Sequence, residues 1–335
     1  MTGVLPAPVL TVGLATAGVL LAGPLSVALA GARWTRRTPR AALVLWQAMC
    51  LGAGLSVIGA VLVPAVSPLG DNIITASWTS WRQLLRGDLI QHLAVWQLCC
   101  LVVAATIAAV LLGVLVHCLL LAVQRRRSHR SLLDLLSASA TERATDARRR
   151  VLLADVRVLD HPSPVAYSLP GWHSRVVLSA GMLDLLESDE LAAVLEHERA
   201  HLRTRHDLMI LPFQAWVEAL GAVPGVRMAR QSVAELAEML ADDVAARRTR
   251  GDVLAAALAK VTLACAERRQ TGDPGRPLTG AVSTGSGAVA TTTVTARVTR
   301  LVRPAPLPAM VTVAVYLLSA LLLLVPTALL LLGWR

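Results

Sequence analysis

Leu195-Glu196-His197-Glu198-Arg199-Ala200-His201 decides how this chain is read. It contains His-Glu-x-x-His, the spacing at which two imidazoles and one carboxylate can together hold and use a zinc ion on a helix. In projection His197 and His201 lie one above the other, about 40° apart, and Glu198 sits roughly 100° from His197 on the same side. Glu196, Arg199 and Arg203 project together on the opposite side, so one face meets solvent and the other can carry chemistry. A longer motif with a third histidine would need glycine at 204 and histidine at 207, where the chain has Thr204 and Asp207. That class is excluded. His206 misses the required place by one residue and reads as a side chain that caps or packs at the end of the helix.

A catalytic zinc takes three protein ligands and keeps a fourth position open. The run from Val233 to Arg248 has good helix formers and no Pro or Gly, and within it Glu238 and Asp242 share a face. Glu238 is the expected third ligand. Asp242 is expected behind the metal, accepting a proton from the far nitrogen of a ligating histidine. Glu198 is then the expected catalytic base, which a purely structural zinc site in a signalling scaffold would not need. Candidate oxyanion donors are His173, His206 and Arg205.

Composition sets the housing. The chain has 335 residues, is 55% hydrophobic and has a mean hydropathy of +0.59, too apolar for an ordinary soluble domain. Four stretches are long enough to cross a hydrocarbon core: about 9–29, 41–66, 93–123 and 307–332. Pro24 and Pro326 fall inside spans and predict local kinks. Arginines collect after the first span (Arg33, Arg36, Arg37, Arg40), after the third (Arg125, Arg126, Arg127, Arg130) and before the fourth (Arg297, Arg300, Arg303). By the positive-inside rule these segments are cytoplasmic, and the N-terminus and the loop from Ser67 to His92 are outside. Trp34, Trp78, Trp81 and Trp334 fall where aromatic anchors belong. The net charge of +10 is thereby a topogenic signal, and no nucleic-acid motif accompanies it. Arg148, Arg149 and Arg150 read as a lipid contact or a solvated helix face. The five cysteines form no Cys-x-x-Cys pair and read as small apolar residues.

The expected fold is mainly α: four transmembrane helices with a cytoplasmic α+β domain inserted between the third and fourth. Residues 1–123 form the membrane region, 124–306 the cytoplasmic domain and 307–335 the last span with a short outer tail. Inside the domain, Ser131 to Val151 reads as a polar helix and Val156 to Leu159 as a strand. Ala166 to Ser179 reads as a hairpin turning at Pro170-Gly171. Its second strand, Arg175 to Ser179, is either a sheet edge open to a substrate strand or a core strand. Ser188 is the expected N-cap of the metal-binding helix. Leu208 to Val226, 19 mostly apolar residues, must be a hairpin that does not cross the membrane, since crossing would separate His197 from Glu238. Gly251 and Asp252 divide two helices, and Thr271 to Thr293 reads as a flexible loop.

Val194 to His206, Glu238 to Asp243, and three spans before with one after resemble the BlaR/MecR-type membrane metallopeptidases. The resemblance implies a gluzincin fold, zinc on His197, His201 and Glu238, and Glu198 as base. It also implies a protein or peptide substrate, with a winged-helix repressor as candidate, and a homodimer as a candidate assembly. Family members that sense beta-lactams look similar up to the fourth span and then carry an extracellular sensor, so direct antibiotic sensing is not expected of this chain. HtpX-like quality-control peptidases share both motifs and are the nearest rival.

Overall fold

The computed structural model describes residues 5–139, 147–170, 174–270 and 287–334. Gly171, Trp172 and His173, most of the Gly/Ser/Thr-rich loop, and Arg335 lie outside the described residues, as do the side chains of Arg125, Arg126, Arg127, Arg130, Arg148 and Arg150. The chain runs α1 (Ala7–Ala22), α2 (Pro24–Gly31), α3 (Pro39–Val66), α4 (Ile73–Arg86), α5 (Leu89–His92) and α6 (Val95–Leu136). There follow β1 (Ser137–Ser139), α7 (Ala147–Leu152), β2 (Val156–Leu159), β3 (Ala166–Leu169), β4 (Arg175–Ser179), α8 (Ala180–Leu185) and α9 (Ser188–Thr204). The last elements are α10 (His206–Leu220), α11 (Pro224–Arg248), α12 (Gly251–Gln270), α13 (Gly287–Val302) and α14 (Ala309–Leu332). Two compact units result: Met1–Leu119 with Ile210–Ala234 and Leu307–Arg335, and Leu120–Met209 with Glu235–Pro306.

The first unit holds four helical segments long and apolar enough to cross a membrane: Ala7–Gly31, Pro39–Leu69, Val95–Gln124 and Ala309–Leu332. These are the four spans expected from the sequence. The first breaks at Gly23, where Pro24 cannot donate a helical hydrogen bond, and so becomes α1 and α2. Long α3 is the central member, packed against α1 and α14. Its glycines make that approach close: a Cβ on Gly52 would stand 3.0 Å from the Leu322 carbonyl oxygen, and one on Gly59 would press on Leu14 and Leu330. Trp334, read as an interfacial anchor, is instead buried, its backbone N–H donating to the Asp71 carbonyl at 2.7 Å. The apolar stretch at 208–226 is a helical hairpin of α10 and α11. Its residues 210–234 belong to this unit, and Phe213 packs edge-on to Trp46 with ring centroids 6.4 Å apart.

The second unit is built on a four-stranded sheet in the order β1-β2-β4-β3. β2 and β4 are parallel; β1 and β3 pair antiparallel on the outside. The alternation of Val156 and Val158, joined by Val176 and Leu178, supplies the inner face. Against it lie Met182, Leu183 and Leu186, and the Leu191, Val194 and Leu195 side of α9. One open alternative is decided here and one expectation changes. Arg175 to Ser179 is an interior strand, so the open edge on this side is β3. The polar helix expected over Ser131 to Val151 is not one element, because α6 runs from the third span to Leu136 and β1 follows.

Candidate metal centre

Helix α9 is fixed at both ends by short-range chemistry. At its start the Glu190 carboxylate accepts from the Glu187 backbone N–H at 3.0 Å and pairs with Lys260 at 2.7 Å. Glu187, not Ser188, is therefore the N-cap residue. Arg149 reads differently from a lipid contact: its guanidinium donates to the Leu183 and Leu186 carbonyls and to Ser188 Oγ, tying α7 to the entry of α9. At the far end Arg205 adopts a left-handed conformation, φ 48°, which stops α9 and lets α10 begin at once with His206. On the solvent side Glu196 gathers Arg199, Arg203 and Arg248 at 3.0–3.4 Å.

The inner side brings three donors together. His197 Nε2 and His201 Nε2 are 3.2 Å apart, His197 Nε2 is 3.4 Å from Glu238 Oε2, and His201 Nε2 is 3.5 Å from Glu238 Oε1. Ligands about 2.0–2.1 Å from a tetrahedral zinc stand about 3.3–3.4 Å from one another, and each of these separations, the two carboxylate oxygens facing one imidazole each, is close to that value. A neutral imidazole pair with one carboxylate is also a donor set suited to zinc. His197, His201 and Glu238 could therefore hold a metal ion. Asp242 Oδ1 lies 2.9 Å from His197 Nδ1, while the ring's other nitrogen faces His201 and Glu238.

The site includes groups the sequence reading placed elsewhere. Arg297, read as a topogenic arginine, comes from α13 and is buried. Its Nε and Nη2 donate to the two Asp242 oxygens, both at 2.7 Å, and its Nη1 lies 3.1 Å from Glu238 Oε2. One turn on, Arg300 pairs with Asp243 at 2.6 Å. The visible signal was the spacing, two arginines three residues apart, to match the neighbouring carboxylates Asp242 and Asp243. His206 is buried and its Nδ1 lies 2.8 Å from His201 Nδ1. Ser168 on β3 hydrogen-bonds the Glu198 carboxylate. Of the candidate oxyanion donors, Arg205 is exposed and His173 is outside the described residues.

These contacts set the charges. Burial works against a charged His197, but Asp242 and Glu238 outweigh it and raise its pKa to about 10. Burial favours an un-ionised Glu238, yet His197, Arg297 and His201 hold it well below the usual carboxylate range. Asp242, also opposed by burial, is brought down to about 2 by Arg297 and His197. Burial lowers His201 and His206 to about 4, leaving both neutral near pH 7. Glu198 goes the other way: burial raises its pKa, and the pull of His197 only partly offsets this. A carboxylate poised above its ordinary value beside a possible metal position suits a group that takes and returns a proton.

Comparison with known proteins agrees with this chemistry. Residues 134–247 match the model of peptidase family M48. A protein of Thermoplasma acidophilum described as a protease HtpX homolog is 32% identical over 91 residues, 27% of this chain and 26% of that protein. The chain thus spans about a quarter of the length of that curated relative. No solved structure matches the chain significantly. The matched region contains His197, Glu198, His201, Glu238 and Asp242 and ends before Arg297.

Proposed function

We propose that this chain is an integral-membrane zinc-dependent endopeptidase working at the cytoplasmic face. The observation that carries the reading is the convergence of His197, His201 and Glu238 at separations that suit ligands of one metal ion, with Glu198 next to His197 on the same helix. When bound, zinc would polarise the scissile carbonyl and make a water molecule acidic enough to react near pH 7. Glu198 takes the proton of that water as its oxygen attacks the carbonyl carbon, and then delivers it to the departing amine. The Ser168 hydroxyl holds the Glu198 carboxylate between these two tasks. Asp242 and Arg297 keep the His197 ring and the Glu238 carboxylate oriented. Strand β3, at the edge of the sheet and bearing Ser168, is where a substrate segment would add as a further strand.

The arginine clusters beside the spans support a cytoplasmic site, and a cytoplasmic site supports regulatory cleavage of a soluble repressor or of the chain itself. A second reading, membrane-protein quality control, is favoured by the likeness to the HtpX homolog. Both predict that Glu198→Gln lowers turnover by about 100-fold or more with zinc still bound. The test is cleavage in membranes by wild type and Glu198→Gln at matched zinc content. The substrates are a co-expressed repressor, the protein itself and a misfolded membrane protein. Cleavage of the repressor or the chain by wild type alone supports the first reading, and cleavage of the misfolded protein alone supports the second. Equal output from both forms with no cleavage would leave a non-proteolytic scaffold with a structural zinc.

A further inference from the structure

The geometry points to His206 as the residue that positions the ligand His201, by accepting the hydrogen bond that fixes its tautomer. This rests on the zinc reading above, because it concerns which His201 nitrogen is left to bind the ion.

The atoms determine the direction. His201 Nε2 is the nitrogen that faces His197 and Glu238, at 3.2 and 3.5 Å, so it must present a lone pair there. A neutral imidazole carries a single N–H, which then sits on Nδ1. That nitrogen lies 2.8 Å from His206 Nδ1, and one hydrogen between two nitrogens requires His206 to be the acceptor. The His206 hydrogen is thereby on Nε2. This atom is buried with no hydrogen-bond partner among the described residues, an arrangement that is costly to maintain. The orienting bond on its other nitrogen accounts for that cost being tolerated. The two rings stand at 89° to each other with centroids 4.7 Å apart, so the His201 nitrogen meets its partner in a fixed direction. The left-handed Arg205 delivers this ring: it ends α9 only four residues after His201 and turns the first residue of α10 back toward it.

The two histidines are thus held by unlike partners. His197 faces an anion, Asp242, itself clamped by Arg297; His201 faces a neutral ring. Loss of such an outer partner commonly weakens metal binding by 10–100-fold.

The experiment measures zinc affinity of the purified full chain in detergent, by competition with a chelating indicator. Four forms are compared: wild type, His206→Asn, His206→Gln and His206→Phe. Asparagine places an oxygen acceptor near the position of Nδ1, glutamine places its amide near Nε2, and phenylalanine keeps the ring without an acceptor. Phe and Gln are expected to weaken zinc binding by about 10-fold or more, with Asn within about threefold of wild type. The Asn and Gln pair decides the matter even if the Phe variant does not fold. Zinc binding by Gln or Phe as tight as wild type would overturn the proposal and leave His206 a packing residue. Equal losses in Asn and Gln would overturn it too, since volume rather than an acceptor would then be at issue. Absence of zinc uptake by wild type would instead remove the zinc reading, and this inference with it.

Discussion

Replacing Arg297 by methionine tests how the centre is held. The substitution keeps an apolar stem and deletes a guanidinium that makes two 2.7 Å bonds to Asp242 and a 3.1 Å contact to Glu238. Asp242 has no exposure, so its charge would lose its strongest partner without gaining water. Removing one member of a buried ion pair costs about 3–5 kcal/mol. Glu238 is open on one side, its side chain 40% exposed, and His197 still faces both carboxylates, which puts the expectation at the low end, about 3 kcal/mol. With a urea dependence of about 2 kcal/mol per molar, the unfolding midpoint of the second unit falls by about 1.5 M. The assay is pulse proteolysis across a urea series on the zinc-stripped, detergent-solubilised chain, read at fragments of residues 147–270. The double variant Arg297→Met with Asp242→Asn is expected to regain stability over Arg297→Met alone, with a coupling above about 1 kcal/mol. A loss under about 1 kcal/mol, or strict additivity in the double variant, would refute the claim that this arginine neutralises the acidic cluster.

Two further outcomes follow from the charges. With its pKa raised to about 10, His197 is protonated in the zinc-stripped protein at pH 7.5, so zinc uptake must expel about one proton. Calorimetry in buffers of different ionisation enthalpy checks this, and a binding heat independent of buffer would contradict it. Asp242 has a folded pKa of about 2, below its ordinary 3.8, so its contribution to stability is complete above about pH 4 and is lost as the pH falls toward 2. Acid unfolding of the stripped chain, followed by circular dichroism, should be shallower through that window in Asp242→Asn; an unchanged slope would count against the Arg297 contact as its cause.

Local pattern made much of this legible. Span-length apolar runs, the i,i+4 pairs His197/His201 and Glu238/Asp242, and the β2 alternation are all written within one element, and each reappears in the structure. Arg297 and Arg149 were misread, and the contact of His206 with His201 went unseen, because their partners are set by folding. Arg297 meets a residue 55 positions earlier and Arg149 meets carbonyls 34 and 37 positions later. Both arginines also had a sufficient membrane explanation in the sequence, which concealed the buried role. His206 packs at the helix end as read, but its contact with His201 was hidden for a subtler reason: reaching it from the next helix requires a left-handed Arg205, a conformation that composition favours for Gly or Asn. The sheet edge was open in the sequence because one hairpin cannot say which of its strands finds a third partner; β2 pairing with β4 answers it.

The clamp from α13 also has a consequence in time. A ribosome makes Asp242 55 residues before Arg297, an interval of roughly 3–11 s at about 5–20 residues per second. Throughout that interval the helix bearing Glu238, Asp242 and Asp243 carries three carboxylates with His197 and without either arginine to offset them, which resist burial at the site. Arg297 and Arg300 arrive only as the fourth span is about to be made. Maturation of the centre is therefore coupled to the synthesis of α13, and a product terminated before Arg297 would be slow to assemble the site.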